Sequence, residues 1–541
     1  MSVLLDVTDL TVTYPGTTGA VGAVRGASFA IARGETLALV GEAGSGKSSV
    51  AHALLGLAGS ARVTGSALFE GRDLLAMPER RVRAIRGAEI AMIFQHPHAS
   101  FHPSLTVGWQ IAETLRIHTG AGRVEARRRA TDLLELVAVP DAAHRLDAFP
   151  HEFSGGMLQR AMIARAIALR PRLLIADEPT TALDATVQAD ILRLLRSLQH
   201  DLGMAILLIT HDFGVVANSA DDVCLMRDGR TVETAPVRTM LTAPRDAYAA
   251  NVLKTLRALE APRPATMRVG ADTRPLVRVE HVSKVYAARS RSFVGRPTDS
   301  VHAVHDVSFD IRRGETLSLV GETGSGKTTL ARCIAGLMPV TSGRIAFDGT
   351  DLAARSGNEL RSMRRHIQLV FQDPYGSLNP RHRIGPTIAE PLVVHGVGTA
   401  DERRLHVLGL LERVGLPRDV VDRYPAELSG GQRQRVGIAR AIALGPALVI
   451  CDEPVSALDV SIRAQLLDLL ADLQQQLGLT YLFISHDLSV VRHVSDRVAV
   501  MHRGSIVELA DTAAVFDRPA HPYTRQLLDA MLSLDAPAAG R

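Results

Sequence analysis

The chain of 541 residues is too long for one hydrophobic core, and a prior of roughly 150 residues per domain predicts three or four units. Hydrophobic residues at 46% with charged residues at 22% exclude a disordered chain, and a net charge of +4 gives no pointer to nucleic acid. The opening MSVLLDVTDL lacks the basic-then-apolar order of a secretory signal, and no run of about 18 apolar residues occurs, so the chain is expected not to cross a membrane by itself.

In chain order, Tyr14 comes first, 27 residues ahead of a glycine loop; its ring either stacks on a nucleotide base or packs in a core. The apolar run ETLALVG then reads as a strand that delivers Gly41-Glu42-Ala43-Gly44-Ser45-Gly46-Lys47-Ser48, with Ser49 following. This is the strand–GxxxxGK[ST]–helix pattern, in which glycines let backbone N–H groups and a helix N-terminus face phosphate oxygens. Lys47 would reach the β- and γ-phosphates, and the Ser48 hydroxyl would bind Mg²⁺. Gln95 follows, and then Ser154-Gly155-Gly156, which opens a long amphipathic helix. Alone, SGG is an ordinary helix cap; beside a phosphate loop it offers a hydroxyl, N–H groups and a helix dipole as a second grip on the γ-phosphate.

Further along, LLIADEP places Asp177 and Glu178 at the C-terminal end of a buried strand, the edge where open α/β sheets hold ligands. The first acid suits the magnesium shell and the second suits polarising an attacking water. His211 ends another apolar run, AILLIT, and is placed to contact the γ-phosphate.

Every one of these features returns. Gly321-Glu322-Thr323-Gly324-Ser325-Gly326-Lys327-Thr328, with Thr329 behind it, repeats the first loop at an offset of 280 residues. Gln372 repeats Gln95 at 277, and Ser429-Gly430-Gly431, Asp452-Glu453 and His486 repeat their counterparts at 275. Tyr286 stands 35 residues before the second loop, with the same two readings as Tyr14. Thr328 and Asp452 would serve Mg²⁺ as Ser48 and Asp177 do. One domain copied once explains this, and a short-period solenoid does not. The copies are expected over 1–257 and 276–541, joined by a proline-containing linker at 258–275 (ALEAPRPATMRVGADTRP). Extra residues around 287–300 read as an exposed loop. Alternating strand and helix patterns favour a mainly parallel α/β sheet in each copy. Cys224, Cys333 and Cys451 lack metal-ligand spacing and read as small buried apolar residues of a reducing compartment, while Arg127-Arg128-Arg129 reads as a solvated helix face.

These elements, in this order, resemble the ABC ATPase family over nearly the whole length of both halves. The resemblance implies two tandem P-loop NTPase domains, each with a RecA-like core, an antiparallel β subdomain and a helical subdomain. Residues 41–48 and 321–328 become Walker A loops, Gln95 and Gln372 Q-loop residues, and FSGGM and LSGGQ (with Gln432) signatures. Asp177-Glu178 and Asp452-Glu453 become Walker B, TALD (181–184) and SALD (456–459) D-loops, and His211 and His486 switch histidines. The family further implies ATP and Mg²⁺ as cofactors and a pseudo-dimer within the chain, pairing Lys47 and Glu178 with Ser429, and Lys327 and Glu453 with Ser154. Because both halves keep the lysine, hydroxyl, acids and histidine, two hydrolytic sites are expected.

A narrower likeness is to the dipeptide, oligopeptide and nickel importers. FQDPYGSLNP (371–380) with IAEPL (388–392) is similar to their extended Q-loop, RPAHPYTRQLL (518–528) to their C-terminal segment, and APRDAYAANVL (243–253) to a weaker first-half version. The expectation is an importer motor, peptide import first, on the cytoplasmic face of the membrane with two permease subunits and an extracytoplasmic substrate-binding protein. Some members of the group hold an iron–sulfur cluster on C-terminal cysteines; no cysteine follows Cys451, so none is expected here. The rival reading is a twin-cassette ATPase acting on ribosomes or nucleic acid, against which the short proline-containing linker argues. The transported solute is not legible.

Overall fold

In the computed structural model the chain is described at all residues except 1, 17–18, 182, 263–271, 287–299, 356, 373–375, 457 and 535–541. Half of the expected linker, the expected loop at 287–300 but for its last residue, and residues 373–375 of the second Q-loop segment therefore lie outside the described residues. The chain divides into two compact units, Met1–Lys254 with Leu532–Arg541, and Thr255–Met531.

Among its described residues the first unit contains ten strands: β1 (Val3–Tyr14), β2 (Val21–Ala32), β3 (Thr36–Val40), β4 (Arg62–Phe69), β5 (Arg72–Asp73), β6 (Ile90–Ile93), β7 (Leu173–Asp177), β8 (Ala205–Thr210), β9 (Asp222–Arg227) and β10 (Arg230–Pro236). Four form an antiparallel sheet ordered β2-β1-β4-β5, and six form a second sheet ordered β10-β9-β3-β8-β7-β6. Within the latter, β9, β3, β8, β7 and β6 run parallel and β10 is antiparallel at the edge. Every residue of β3, β7 and β8 is buried, as expected of strands covered on both faces, and this is why they read as continuous apolar runs.

One core packs the antiparallel sheet and the helix Lys47–Leu54 against one sheet face, through Leu37, Leu39, Val50, Leu54 and Phe69. A second core packs the other face against the helices Val107–Thr119, Arg123–Leu136 and Gly155–Ile167, through Ile111, Leu134, Leu158 and Ile163. On the outer face of Arg123–Leu136, Arg127 pairs with Asp147 at 2.6 Å and Arg129 with Glu125 at 2.8 Å. These exposed pairs contribute at most about 1 kcal/mol each, so the arginine run is a solvated helix face.

The second unit repeats the plan with β11 (Asp272–Tyr286), β12 (Val301–Arg313), β13 (Thr316–Val320), β14 (Ser342–Phe347), β15 (Thr350–Asp351), β16 (Ile367–Val370), β17 (Leu448–Asp452), β18 (Thr480–Ile484), β19 (Arg497–His502) and β20 (Ser505–Asp511). Its sheets are ordered β12-β11-β14-β15 and β16-β17-β18-β13-β19-β20. Each unit thus has a parallel core sheet, an antiparallel sheet and a helical region, the architecture expected of both copies.

All three cysteines are free and buried. Burial raises each thiol, and that of Cys451, in β17 next to Asp452, is pushed up to about 12. A thiol held that high is not a thiolate at neutral pH and is inert. In a disulfide-exchange assay with an aromatic disulfide reagent, the native chain is expected to show no fast-reacting thiol and the denatured chain all three.

Candidate functional site

In the first unit four candidate segments leave the C-terminal ends of four adjacent strands. β3 delivers the glycine loop, β8 delivers His211, β7 delivers Asp177 and Glu178, and β6 delivers Gln95. The strand order β3-β8-β7-β6 sets them side by side although they are scattered over 170 residues of sequence. The order β13-β18-β17-β16 does the same in the second unit for the loop at 321–328, His486, Asp452-Glu453 and Gln372.

The glycine loops are tight. Gly44 and Gly46 adopt φ of +79° and +99°, and Gly324 and Gly326 adopt +83° and +105°. Gly46 and Gly326 cap the helices Lys47–Leu54 and Lys327–Ile334. Each lysine curls over its own loop: Lys47 Nζ donates to Gly41 O at 2.7 Å, Glu42 O at 2.8 Å and Ser45 Oγ at 3.3 Å. Lys327 repeats this on Gly321 O, Glu322 O and Ser325 Oγ at 2.7, 2.8 and 3.5 Å. Both lysines are 6% exposed, so an ammonium is held ready inside a ring of backbone groups. Ser49 and Thr329 follow in the first turn of each helix.

Beside the loops, the Ser48 hydroxyl donates to Asp177 Oδ1 at 3.2 Å and the Thr328 hydroxyl to Asp452 Oδ1 at 3.4 Å. Burial, joined by the charge of the adjacent Glu178 or Glu453, raises both aspartates, and the hydroxyl and neighbouring cations only partly offset it. A buried carboxylate short of positive charge next to a hydroxyl oxygen suits a hard divalent cation such as Mg²⁺, so these residues fit that ion. Among the described residues no group of three His, Cys, Asp or Glu side chains could by itself hold a metal ion, so such an ion would take its remaining ligands from phosphate and water.

The neighbouring glutamates behave oppositely. Burial pushes Glu178 up, but His211 Nδ1 at 3.1 Å from Oε1, the Thr181 hydroxyl at 2.8 Å from Oε2 and the charge of Lys47 outweigh it and leave Glu178 at about 2. Gln95 Nε2 donates to the same Oε2 at 2.8 Å. Glu453 is also lowered against the pull of burial, by His486 at 3.1 Å, Lys327 and the Gln372 amide at 2.7 Å. Both glutamates sit at positive φ, +47° and +49°, a strained conformation for a residue with a Cβ. The strain turns each carboxylate from the strand end into the row of candidate groups.

The two glutamates differ in what the hydroxyl three residues on reaches. The Thr181 hydroxyl reaches the Glu178 carboxylate, whereas Ser456, at the matching position, donates to the Glu453 backbone carbonyl at 3.2 Å. Because Glu178 is depressed from 4.5 to about 2, its bonds stabilise the native state fully above about 4.5 and are lost as pH falls through about 2. Thr181→Ala removes one of those bonds. It is expected to raise the Glu178 value and move the acid limb of turnover at that site upward, read in a chain carrying Glu453→Gln. An unchanged limb would show that Thr181 does not act on the carboxylate. Sequence spacing could not reveal this contact, since both copies carry a hydroxyl there.

Ser154 and Ser429 cap the helices Gly155–Ile167 and Gly430–Ile442, each accepting an N–H at 3.3 Å, from Met157 and Gln432. Gln432 turns back so that its Oε1 accepts the Ser429 N–H at 3.0 Å, a reciprocal cap that Met157 cannot make. The final glycine of each motif has a packing duty. A Cβ at Gly156 would lie 2.8 Å from Val187 Cγ1, and one at Gly431 would lie 2.6 Å from Ile462 Cγ2. Gly155 and Gly430 have no such close neighbour.

Tyr14 is partly buried against the first core, at the end of β1 that pairs with Val21, two residues from Ala23 beside Gly46. Tyr286 occupies the matching end of β11 with its ring 39% exposed and its hydroxyl on Met338 Sδ at 3.0 Å. Both rings therefore sit by the glycine-loop side of their antiparallel sheets. Beside Gln372 a groove of about 720 Å³ is lined by Thr328, Phe371, Pro391, Val394, Arg440 and Asp452.

Comparison with known proteins adds an independent line. A family model described as ABC transporter matches residues 24–181 and 304–456, and one described as Oligopeptide/dipeptide transporter, C-terminal region, matches 507–541. The glutathione import ATP-binding proteins GsiA of Escherichia coli O157:H7 and of Pectobacterium atrosepticum are each 47% identical, over 98% of this chain and 89% of theirs. A solved dimeric ATP-binding cassette, MJ0796 with ADP and Pi, is 30% identical over 44% of this chain and 98% of its own, at a TM-score of 0.40.

Proposed function

The chain belongs to the ABC transporter family and is an ATPase, and from that premise we propose that it is the motor subunit of an importer for small peptides. The observation that carries the catalytic half of this reading is the row of loop lysine, histidine, acid pair and glutamine along adjacent strand ends, present in both units. ATP phosphates would lie in the ring around Lys47 and Lys327, with Ser154 and Ser429 as further γ-phosphate donors. Mg²⁺, held by Ser48 and Asp177 or by Thr328 and Asp452 with Gln95 or Gln372 alongside, would neutralise charge building on the phosphates. Glu178 and Glu453 would orient and polarise the attacking water, with His211 and His486 meeting the γ-phosphate.

The transport half rests on the match of the last residues to the oligopeptide/dipeptide transporter C-terminal region and on the glutathione importers, whose cargo is itself a tripeptide. Among the described residues no helix is long and apolar enough to cross a membrane. Solute would therefore pass through separate permease subunits, delivered by an extracytoplasmic binding protein. The groove beside Gln372, with Phe371 43% exposed at its edge, is the surface on which a permease segment would feel the motion of the glutamine. The chain would work at the cytoplasmic membrane face.

Uptake of labelled dipeptide, tripeptide, glutathione and nickel, compared in cells with and without the gene for this chain, tests the cargo. Loss of peptide or glutathione uptake supports the reading. Loss of nickel uptake alone overturns the peptide assignment, and co-purification with ribosomes rather than integral-membrane chains overturns the importer assignment.

A further inference from the structure

The last helix of the second unit reaches back to its glycine loop. Glu508 on β20 accepts the N–H groups of Ala520 at 2.9 Å and His521 at 3.0 Å. His521 Nδ1 in turn accepts the Tyr523 N–H at 3.1 Å, capping the helix Pro522–Asp529. This frame drives the Tyr523 ring, only 6% exposed, into an apolar cluster with Val320, Val491, Val500 and Leu527. There it stacks on His502 with centroids 4.0 Å apart and planes 20° from parallel. Its hydroxyl accepts the backbone N–H of Glu322 at 3.1 Å. Glu322 is the second residue of the glycine loop, and its carbonyl is one of those gripped by Lys327.

A phenylalanine would satisfy the apolar cluster as well as a tyrosine does. A buried hydroxyl costs free energy unless bonded, and the bond from the Glu322 N–H offsets part of that cost. The frame is repeated in the first unit, where Glu233 accepts the N–H groups of Arg245 and Asp246 and Arg227 lies 4.6 Å over the Tyr248 ring. The repetition fixes the segment to the edge strand of the core sheet in each copy.

We infer that Tyr523 is a positioning residue for ATP hydrolysis: its hydroxyl holds the Glu322 peptide so that the second glycine loop keeps its phosphate-accepting form, and the C-terminal segment thereby sets that site's nucleotide affinity. This rests on the reading that the loop at 321–328 holds the phosphates. The test uses the full chain carrying Lys47→Ala, so that the second site dominates nucleotide binding.

Tyr523→Phe, which removes only the oxygen, is expected to weaken binding of a fluorescent ATP analogue about threefold to tenfold, the scale of one hydrogen bond. KM is expected to rise in the same proportion while kcat changes by less than about twofold, with Tm held to within about 2 °C. Unchanged affinity and KM would overturn the inference, as would a fall in Tm that accounts for the whole loss. Lys327→Ala separates the two readings. If it leaves the analogue bound, the phosphate-loop assignment itself fails; if it abolishes binding while Tyr523→Phe has no effect, only the role of Tyr523 fails.

Discussion

Glu178→Gln and Glu453→Gln are each expected to lower ATP turnover, and the double variant to lower it at least about 100-fold, with nucleotide binding retained. The substitution keeps the size and one oxygen of the side chain but removes the negative charge that would draw a proton from water. A hundredfold loss corresponds to about 2.7 kcal/mol of transition-state stabilisation, within the range of a general base. The resting geometry explains why the charge matters. At about 2, Glu178 is ionised but weakly basic, because His211, Thr181 and Lys47 outweigh the effect of burial. Drawing His211 onto a γ-phosphate oxygen would remove the main counterweight and leave a buried carboxylate whose affinity for a proton rises. Steady-state phosphate release on the two single variants and the double variant measures this. One silent single variant and one complete loss would show that only one site is hydrolytic.

The second large effect is expected at the glycines. Gly46→Ala and Gly326→Ala should each reduce ATP affinity at their own site about 100-fold or more, by two additive mechanisms. The φ values of +99° and +105° are unfavourable for alanine, and the new Cβ would lie 2.3 Å from the Ala23 carbonyl or 2.1 Å from that of Ala303. The β2 and β12 strands that carry those carbonyls are hydrogen-bonded into their sheets, so the loop has to move instead. Displacement plus backbone strain is a cost of about 3 kcal/mol or more. Gly44 and Gly324 provide the internal comparison. Their φ values are +79° and +83°, yet nothing lies within 4 Å of an added Cβ. Alanine there carries only the conformational cost of about 1–2 kcal/mol, and the loss should be roughly tenfold. Titration of a fluorescent ATP analogue on all four variants reads the ratio, and equal losses at Gly44 and Gly46 would remove the carbonyl contact from the explanation.

Much of the site could be read without coordinates because its signals are local. A glycine loop after an apolar run and before a helical pattern is written within about 20 residues, and so is an acid pair at a strand end. The duplication reinforced each signal, since Lys47 and Lys327 make the same three contacts in their separate units. Other contacts were invisible at that level. The positive φ of Glu178 and Glu453 has no mark in the sequence, because glutamate is not a residue that signals a left-handed turn. The signature glycines read as phosphate donors, yet the fold also requires Gly156 and Gly431 to clear Val187 and Ile462 on the following helix. Gln432 read as a nucleotide contact, and its side chain caps its own helix.

The sequence by itself therefore determined that two copies of one phosphate-binding domain are present, where each copy's strands end, and which side chains stand at those ends. These follow from glycine's freedom of φ, from apolar periodicity and from the position of charge, all properties of neighbouring residues. Tertiary structure decided which of those ends meet. The orders β3-β8-β7-β6 and β13-β18-β17-β16 depend on which strands pair across long stretches of chain, and only that pairing places histidine, glutamate and glutamine in one hydrogen-bonded group. It also brought Tyr523, 201 residues from Glu322, onto the second loop, because its ring packs with Val320 and Val500 while its hydroxyl meets the loop backbone.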